Sequence, residues 1–212
     1  MTVLSALGRY RLIPVVVLDS SDDAVALGTA LVEGGLPIAE VTLRTPAALA
    51  AIEHLADRGD VIVGAGTVTT PEQAEAACAA GARFIVSPGI SQAVLETCAE
   101  LGIPSVPGAV TATEVQAALE LGASTVKFFP ASLCGGPAMI TALAAPFGDV
   151  KFIPTGGVDP SNLAEYLRLP AVVAVGGSWM VPRDRLRAGD FDAIRSLVAE
   201  AAALASTHPP VP

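Results

Sequence analysis

Residues 61 to 89 read VIVGAGTVTTPEQAEAACAAGARFIVSPG. An apolar, β-branched run from Val61 to Val68 gives way to Thr70-Pro71, where the threonine is placed to cap a helix and the proline fits its first turn. Gln73 completes a capping box, and Gly81 supplies the stop before a second short apolar run begins at Phe84. Strand, helix and strand in succession imply a right-handed crossover between parallel neighbours, because parallel strands need a long connection.

The same unit recurs along the chain. Strand-like runs begin at Leu12 (LIPVVV), Ile38 (IAEVTL), Val61 (VIVGAGTV), Phe84 (FIVSPG), Ile103 (IPSVPG), Thr125 (TVKFFP), Lys151 (KFIPTGG) and Val172 (VVAVGG), eight in all. Helix starts are expected at Ser21 before Asp22, at Thr45-Pro46, at Thr70, at Thr111 with Glu114, and at Asp159-Pro160. Stops are expected at Gly34, Gly81, Gly102, Gly122 and Pro170. Between these signals apolar residues fall at helical spacing, as in Val115, Ala118 and Leu119, so each helix offers one apolar face to a sheet. Eight such units predict a small α/β protein, a single-domain (β/α)8 barrel over residues 1–207, followed by a short Pro-rich tail, 208–212. A doubly wound open sheet would carry a glycine fingerprint after its first strand, and Val17-Leu18-Asp19-Ser20-Ser21 has no glycine.

Composition narrows the functional classes. The chain has 212 residues, 52% of them hydrophobic and 16% charged, which supports one large core and excludes disorder. Mean hydropathy is +0.59, yet the longest uncharged stretch, Phe128 to Gly148, is broken by Pro130, Gly135, Gly136, Pro137 and Pro146, so no membrane partner is expected. Twelve basic against 21 acidic residues give a net charge of -9 with 4% aromatics, a poor match to nucleic acid. Cys78, Cys98 and Cys134 are an odd number without metal spacing, read as reduced, buried thiols. His54 and His208 are too few for a His-ligated metal centre. No metal and no cofactor are expected, and with no signal-peptide pattern ahead of Arg9 the address is cytoplasmic.

In a barrel of this type chemistry gathers where strands end. Lys127 lies mid-strand and by period-two alternation shares the inner face with Thr125 and Phe129, while Val126 and Phe128 face the helices. An inward lysine is either paired with a carboxylate or desolvated into a carbonyl nucleophile. The other lysine, Lys151, opens its strand and reads as structural. Glu40, Thr42 and Arg44 share one face of the second strand, so that a carboxylate and a guanidinium point inward. Glu40 suits general acid and base work and Arg44 the gripping of a carboxylate, unless the two pair with each other. Thr155-Gly156-Gly157 and Gly176-Gly177-Ser178 follow the seventh and eighth strands, where barrels commonly hold phosphate on backbone N–H groups.

The segments EVTLRT (Glu40 to Thr45), GAGTV (Gly64 to Val68), SPG (Ser87 to Gly89), KFFPA (Lys127 to Ala131), PTGGV (Pro154 to Val158) and VGGSWMVP (Val175 to Pro182) closely resemble the 2-dehydro-3-deoxy-phosphogluconate aldolase and 4-hydroxy-2-oxoglutarate aldolase family. The resemblance implies a class I, Schiff-base aldolase, a homotrimer acting on a small 2-keto-3-deoxy sugar acid phosphate. It makes Lys127 the imine-forming residue and Glu40 the acid and base. Arg44 and Thr67 would then hold the substrate carboxylate, Phe129 and Pro88 line the pocket, and Thr155, Gly156, Gly157, Gly177 and Ser178 hold the phosphate. Ser132 departs from the glutamate that the family places after KFFPA. Rival readings are an aldolase for the galactonate epimer, an epimerase or isomerase on the same phosphate-binding barrel, and a non-catalytic anion-binding module.

Overall fold

The structure, a computed structural model, describes residues 3–208, so Pro209 to Pro212 of the expected tail lie outside the described residues. Eight strands appear in the expected order: β1 Leu12–Val16, β2 Ile38–Thr42, β3 Ile62–Gly66, β4 Ile85–Val86, β5 Ser105–Val106, β6 Thr125–Phe128, β7 Lys151–Pro154 and β8 Val175–Gly177. All pairings are parallel. Six strands run in the order β5-β4-β3-β2-β1-β8 and two in the order β6-β7. The bridge Gly108↔Lys127 joins β5 to β6, and Phe152↔Val172 with Thr155↔Gly176 joins β7 to β8. The sheet therefore closes on itself as a (β/α)8 barrel.

The helices are α1 Val3–Tyr10, α2 Asp23–Glu33, α3 Ala48–Asp57, α4 Pro71–Ala79, α5 Gln92–Glu100, α6 Ala112–Glu120, α7 Gly136–Ala144, α8 Leu163–Leu167, α9 Arg183–Arg187 and α10 Phe191–Ser206. Both capping boxes form: Thr70 accepts from Gln73 N and Thr111 from Glu114 N, each with the reciprocal bond. Gly81, Gly102 and Gly122 take left-handed φ of +92°, +66° and +86° just beyond their helices, a conformation in which a Cβ is unfavourable. After α2, Gly35 takes the left-handed position and Gly34 the helical one before it.

Three expected starts move. Thr45 does not open α3; its hydroxyl donates to the Leu18 carbonyl at 2.5 Å, tying the turn after β2 to the loop after β1, and the helix begins at Ala48. Asp22, not Ser21, is the N-cap of α2. Asp159 accepts from the Ser161 N–H at 2.8 Å and so forms a turn, leaving Asn162 to precede α8. Helix α1, ahead of the first strand, and the short α9 were not expected. Cys98 is buried and its thiol is pushed up to about 11 by burial, whereas Cys78 and Cys134 are half-buried rather than buried; all three are free.

Alternation sorts the side chains as expected. Val126 and Phe128 are fully buried toward the helices, where Phe128 meets Phe152 edge-on at 6.4 Å between ring centroids. Thr125 and Lys127 are buried on the opposite face.

Candidate active site

Lys127 and Glu40 meet across the barrel, 87 residues apart in sequence, with Lys127 Nζ donating to Glu40 Oε1 at 2.8 Å. Their side chains are 8% and 2% exposed. Each strand contributes a reason for the meeting. Glu40 pairs in register with Gly64 of β3, and Gly66 two residues on leaves the space its carboxylate fills; a Cβ on Gly66 would stand 2.3 Å from Oε1. Lys127 pairs with Ile153 of β7 and bridges to Gly108. Its Nζ also lies 5.4 Å from the centroid of the Phe129 ring, within range of attraction between a cation and the ring face. A lone ammonium could not persist at this burial, and the carboxylate compensates it.

The carboxylate thus pairs with Lys127, and the alternative pairing of Glu40 with Arg44 does not occur. Thr42 is buried on β2, and the expectation for Arg44 is corrected. The Thr42 hydroxyl donates to the Val16 carbonyl at 3.0 Å and so holds β2 to β1. Arg44 lies beyond the end of β2 in an exposed turn and does not point into the barrel with Glu40. The strand is shorter than its apolar pattern, so alternation no longer governs residue 44.

Arg44 instead lines a cavity of about 530 Å³ at the C-terminal ends of the strands, together with Phe129, Thr155, Gly156, Gly157, Gly177 and Ser178. Phe129 forms part of the cavity wall on one side and stacks near the Lys127 ammonium on the other, so the amine sits beside this space. Thr67 and Pro88 stand outside the lining. Thr67 takes a left-handed φ of +61° in the turn after β3, directly after the glycine that abuts Glu40. Pro88 is exposed, with its carbonyl packed against Gly108, where a Cβ would meet it at 2.1 Å.

The glycine turns have the geometry of an anion cradle. Gly156 and Gly157 take φ of +94° and +74°, and the N–H groups of Gly156, Gly157 and Ser178 have no hydrogen-bond partner among the described residues. Ser132 donates to the Gly157 carbonyl at 2.5 Å and Asn162 Nδ2 donates to the same oxygen at 3.0 Å, which pins the turn. Ser132 therefore braces this loop.

Sequence reasoning missed Trp179 and Arg183, which also line the cavity. A Cβ on Gly177 would fall 1.7 Å from the Trp179 ring, so that glycine accommodates the indole. Arg183 Nε donates to Asp19 Oδ2 at 3.1 Å, and Arg187 Nε donates to the same oxygen at 2.6 Å. Hydrogen bonds from these two arginines hold the Asp19 carboxyl down to about 2. The one carboxylate is shared by two guanidiniums, so the cluster keeps a net positive charge beside the glycine turns. Only the position of Arg183 after the eighth strand could have signalled it.

The match to the family model "KDPG and KHG aldolase" covers residues 3–197; the two abbreviations denote 2-dehydro-3-deoxy-6-phosphogluconate and 4-hydroxy-2-oxoglutarate. The chain is 52% identical to the 2-dehydro-3-deoxy-phosphogluconate aldolase of Treponema pallidum over 93% of its own length and 94% of that protein. It is 44% identical to the KHG/KDPG aldolase of Escherichia coli over 93% of each. Among solved structures, the KDPG aldolase of Legionella pneumophila, captured with pyruvate as a covalent carbinolamine, superposes with a TM-score of 0.90 at 41% identity, covering 94% of this chain and 98% of that one. The similarity to aldolases thus runs along almost the whole length of the chain in both sequence and fold, and the chain belongs to the KDPG and KHG aldolase family.

Proposed function

We propose that Lys127 and Glu40 carry the aldol cleavage of this class I lyase, which splits KDPG reversibly into pyruvate and glyceraldehyde 3-phosphate and takes the shorter KHG to pyruvate and glyoxylate. The observation that carries the assignment is the buried Lys127–Glu40 contact beside the cavity. Glu40 is the base in reach of the ammonium, and the freed amine attacks the 2-keto carbon. The resulting carbinolamine loses water to give a protonated imine. That imine draws electrons from the bond between carbons 3 and 4. Glu40, directly or through one water, takes the proton of the 4-hydroxyl as this bond breaks. The aldehyde leaves and the electron pair stays on carbon 3 as an enamine. Protonation of carbon 3 and addition of water release pyruvate and restore the amine.

Arg44 binds the carboxylate in a bidentate fashion and so presents the carbonyl to the amine, a positioning effect. The family resemblance assigns Thr67 to the same end and Pro88 to the pocket's border, while Phe129 lines the cavity beside the amine. Thr155, the Cβ-free backbone of Gly177 and the N–H groups of Gly156, Gly157 and Ser178 receive the phosphate, with Arg183 adding charge from the rim. Borohydride reduction in the presence of pyruvate tests the assignment: a reduced pyruvyl adduct should map to Lys127. An adduct on Lys151, or none, would overturn it.

Activity should survive exhaustive chelation, since every step above uses only protein groups. Three free thiols, Cys78, Cys98 and Cys134, support a reducing, cytoplasmic setting. Among the described residues no helix is long and apolar enough to cross a membrane. Assembly as a homotrimer rests on the family resemblance and on apolar side chains left at the surface, Leu133 at 87% exposure above all. Light scattering should return three times 21.3 kDa.

A further inference from the structure

The opposite, N-terminal face of the barrel holds a second cavity, of about 440 Å³, lined by Arg9, Arg11, Lys151, Gly8, Pro170 and Val172 among others. Three of its side chains are cationic and none is acidic, in a chain whose net charge is -9. Among the described residues none of the three cations forms an ion pair.

Arg11 is the unusual member. It is 4% exposed, and it sits at φ +62°, a conformation that a non-glycine residue seldom adopts. Its Nη1 donates to the Val172 and Val173 carbonyls at 2.7 and 3.2 Å, and its Nη2 to the Leu167 carbonyl at 2.5 Å. A guanidinium has five N–H donors, so these bonds leave donors over, and Nε has no partner among the described residues. The carbonyls satisfy hydrogen bonds without cancelling the charge. A buried guanidinium ordinarily has a carboxylate or phosphate beside it, because an uncompensated charge in a low dielectric is unfavourable. Here the compensating anion is missing from the fold itself, while Lys151 and Arg9 line the same cavity.

We infer that this cavity is an anion site, distinct from the catalytic cavity, that takes a small phosphoryl dianion: Arg9 and Lys151 contact it directly, and the buried Arg11 guanidinium beside them adds a third uncompensated positive charge. Neighbouring strands β7, β8 and β1 link the two faces. Lys151 opens β7, Val172 and Val173 precede β8, and Arg11 precedes β1. The dianion could be inorganic phosphate or the phosphoryl group of a metabolite, and the chemistry of recognition is the same for both.

The test uses the full-length enzyme and two exposed or half-exposed positions, Arg9→Ala combined with Lys151→Ala, which leave Arg11 and the fold in place. Calorimetric titration with inorganic phosphate should show two sites in the parent protein, one on each face. The double variant should lose one of them, or bind it at least about tenfold more weakly, with kcat/KM unchanged. A parallel titration with 3-carbon phosphate esters separates the two sources: tighter binding of the ester assigns the site to a metabolite, and equal binding to phosphate itself. A Gly157→Ala variant should retain the N-terminal site. Identical stoichiometry and affinity for phosphate in the parent and the double variant would overturn the inference. So would a selenate-soaked crystal with the Arg11 cavity empty.

Discussion

The two ends of the catalytic cavity are built from different materials. At the reacting end, two side chains on regular strands meet in a buried ion pair, with the Glu40 carboxylate packed into the space that Gly66 leaves. At the end proposed to hold phosphate, the groups on offer are backbone N–H donors in the turns at Gly156-Gly157 and Ser178 and a guanidinium shared with Asp19. The difference follows from what each end does. Proton transfer and imine formation need groups whose charge changes during the reaction, fixed to within fractions of an ångström and shielded from water. Holding a dianion needs several fixed dipoles and no change of state, which glycine turns supply without any particular side chain.

If that contrast is right, side-chain replacements should be severe at one end and mild at the other. Lys127→Arg should retain the fold and the contact with Glu40 yet lose more than about ten-thousandfold in kcat, because a guanidinium stays charged and cannot form the imine. Lys127→Met should in addition lower stability by roughly 3–5 kcal/mol, since it strands Glu40; denaturant unfolding separates the two variants. Glu40→Gln should slow turnover by roughly a hundredfold to ten-thousandfold. A rate within twofold of the parent would reduce Glu40 to a structural partner of the lysine.

At the phosphate end, Gly157→Ala should cut kcat/KM for KDPG by roughly tenfold to a hundredfold, the loss expected of charge-assisted backbone donors, and leave KHG nearly unaffected. The added Cβ would fall 2.4 Å from Ser132 Oγ at a φ of +74°. Combining it with Ser132→Gly should therefore recover the steric part alone. Ser178→Ala should reduce kcat/KM for KDPG only a few-fold, since a side-chain hydroxyl is lost and the N–H remains. Equal losses for both substrates in the glycine variants would reverse the assigned polarity of the cavity.

The smallest effect concerns acid. Asp19 is held down to about 2 by Arg183 and Arg187, so its folded pKa lies below its unfolded one. Its contribution is complete above the ordinary value of 3.8 and is lost only as pH falls through about 2. The pH profile for KDPG should then keep its shape in Asp19→Asn from about pH 4 upward; a new inflection in that range would show that the carboxylate titrates during turnover.

Much of this could be read without coordinates. The alternation of β-branched runs with capped helices dictated eight parallel strands, since Thr70 with Gln73 and Thr111 with Glu114 act within a single helical turn. Period-two alternation put Lys127 on the inner face, and the tandem glycines after β7 and at the end of β8 pointed to the proposed anion end. The sequence could not say which inward carboxylate meets the lysine. Lys127 is 87 residues from Glu40 and Arg44 only four, yet the barrel's closure brings the distant pair to one level and carries Arg44 past the end of its strand. Tertiary contact also overrode the helix signal at Thr45, whose hydroxyl a carbonyl from the neighbouring loop engages. It created the Asp19–Arg183 contact across 164 residues as well. Local signals fix conformation because they act between residues a turn or a pleat apart; partners across a barrel depend on how the whole sheet closes, which no short window of sequence encodes.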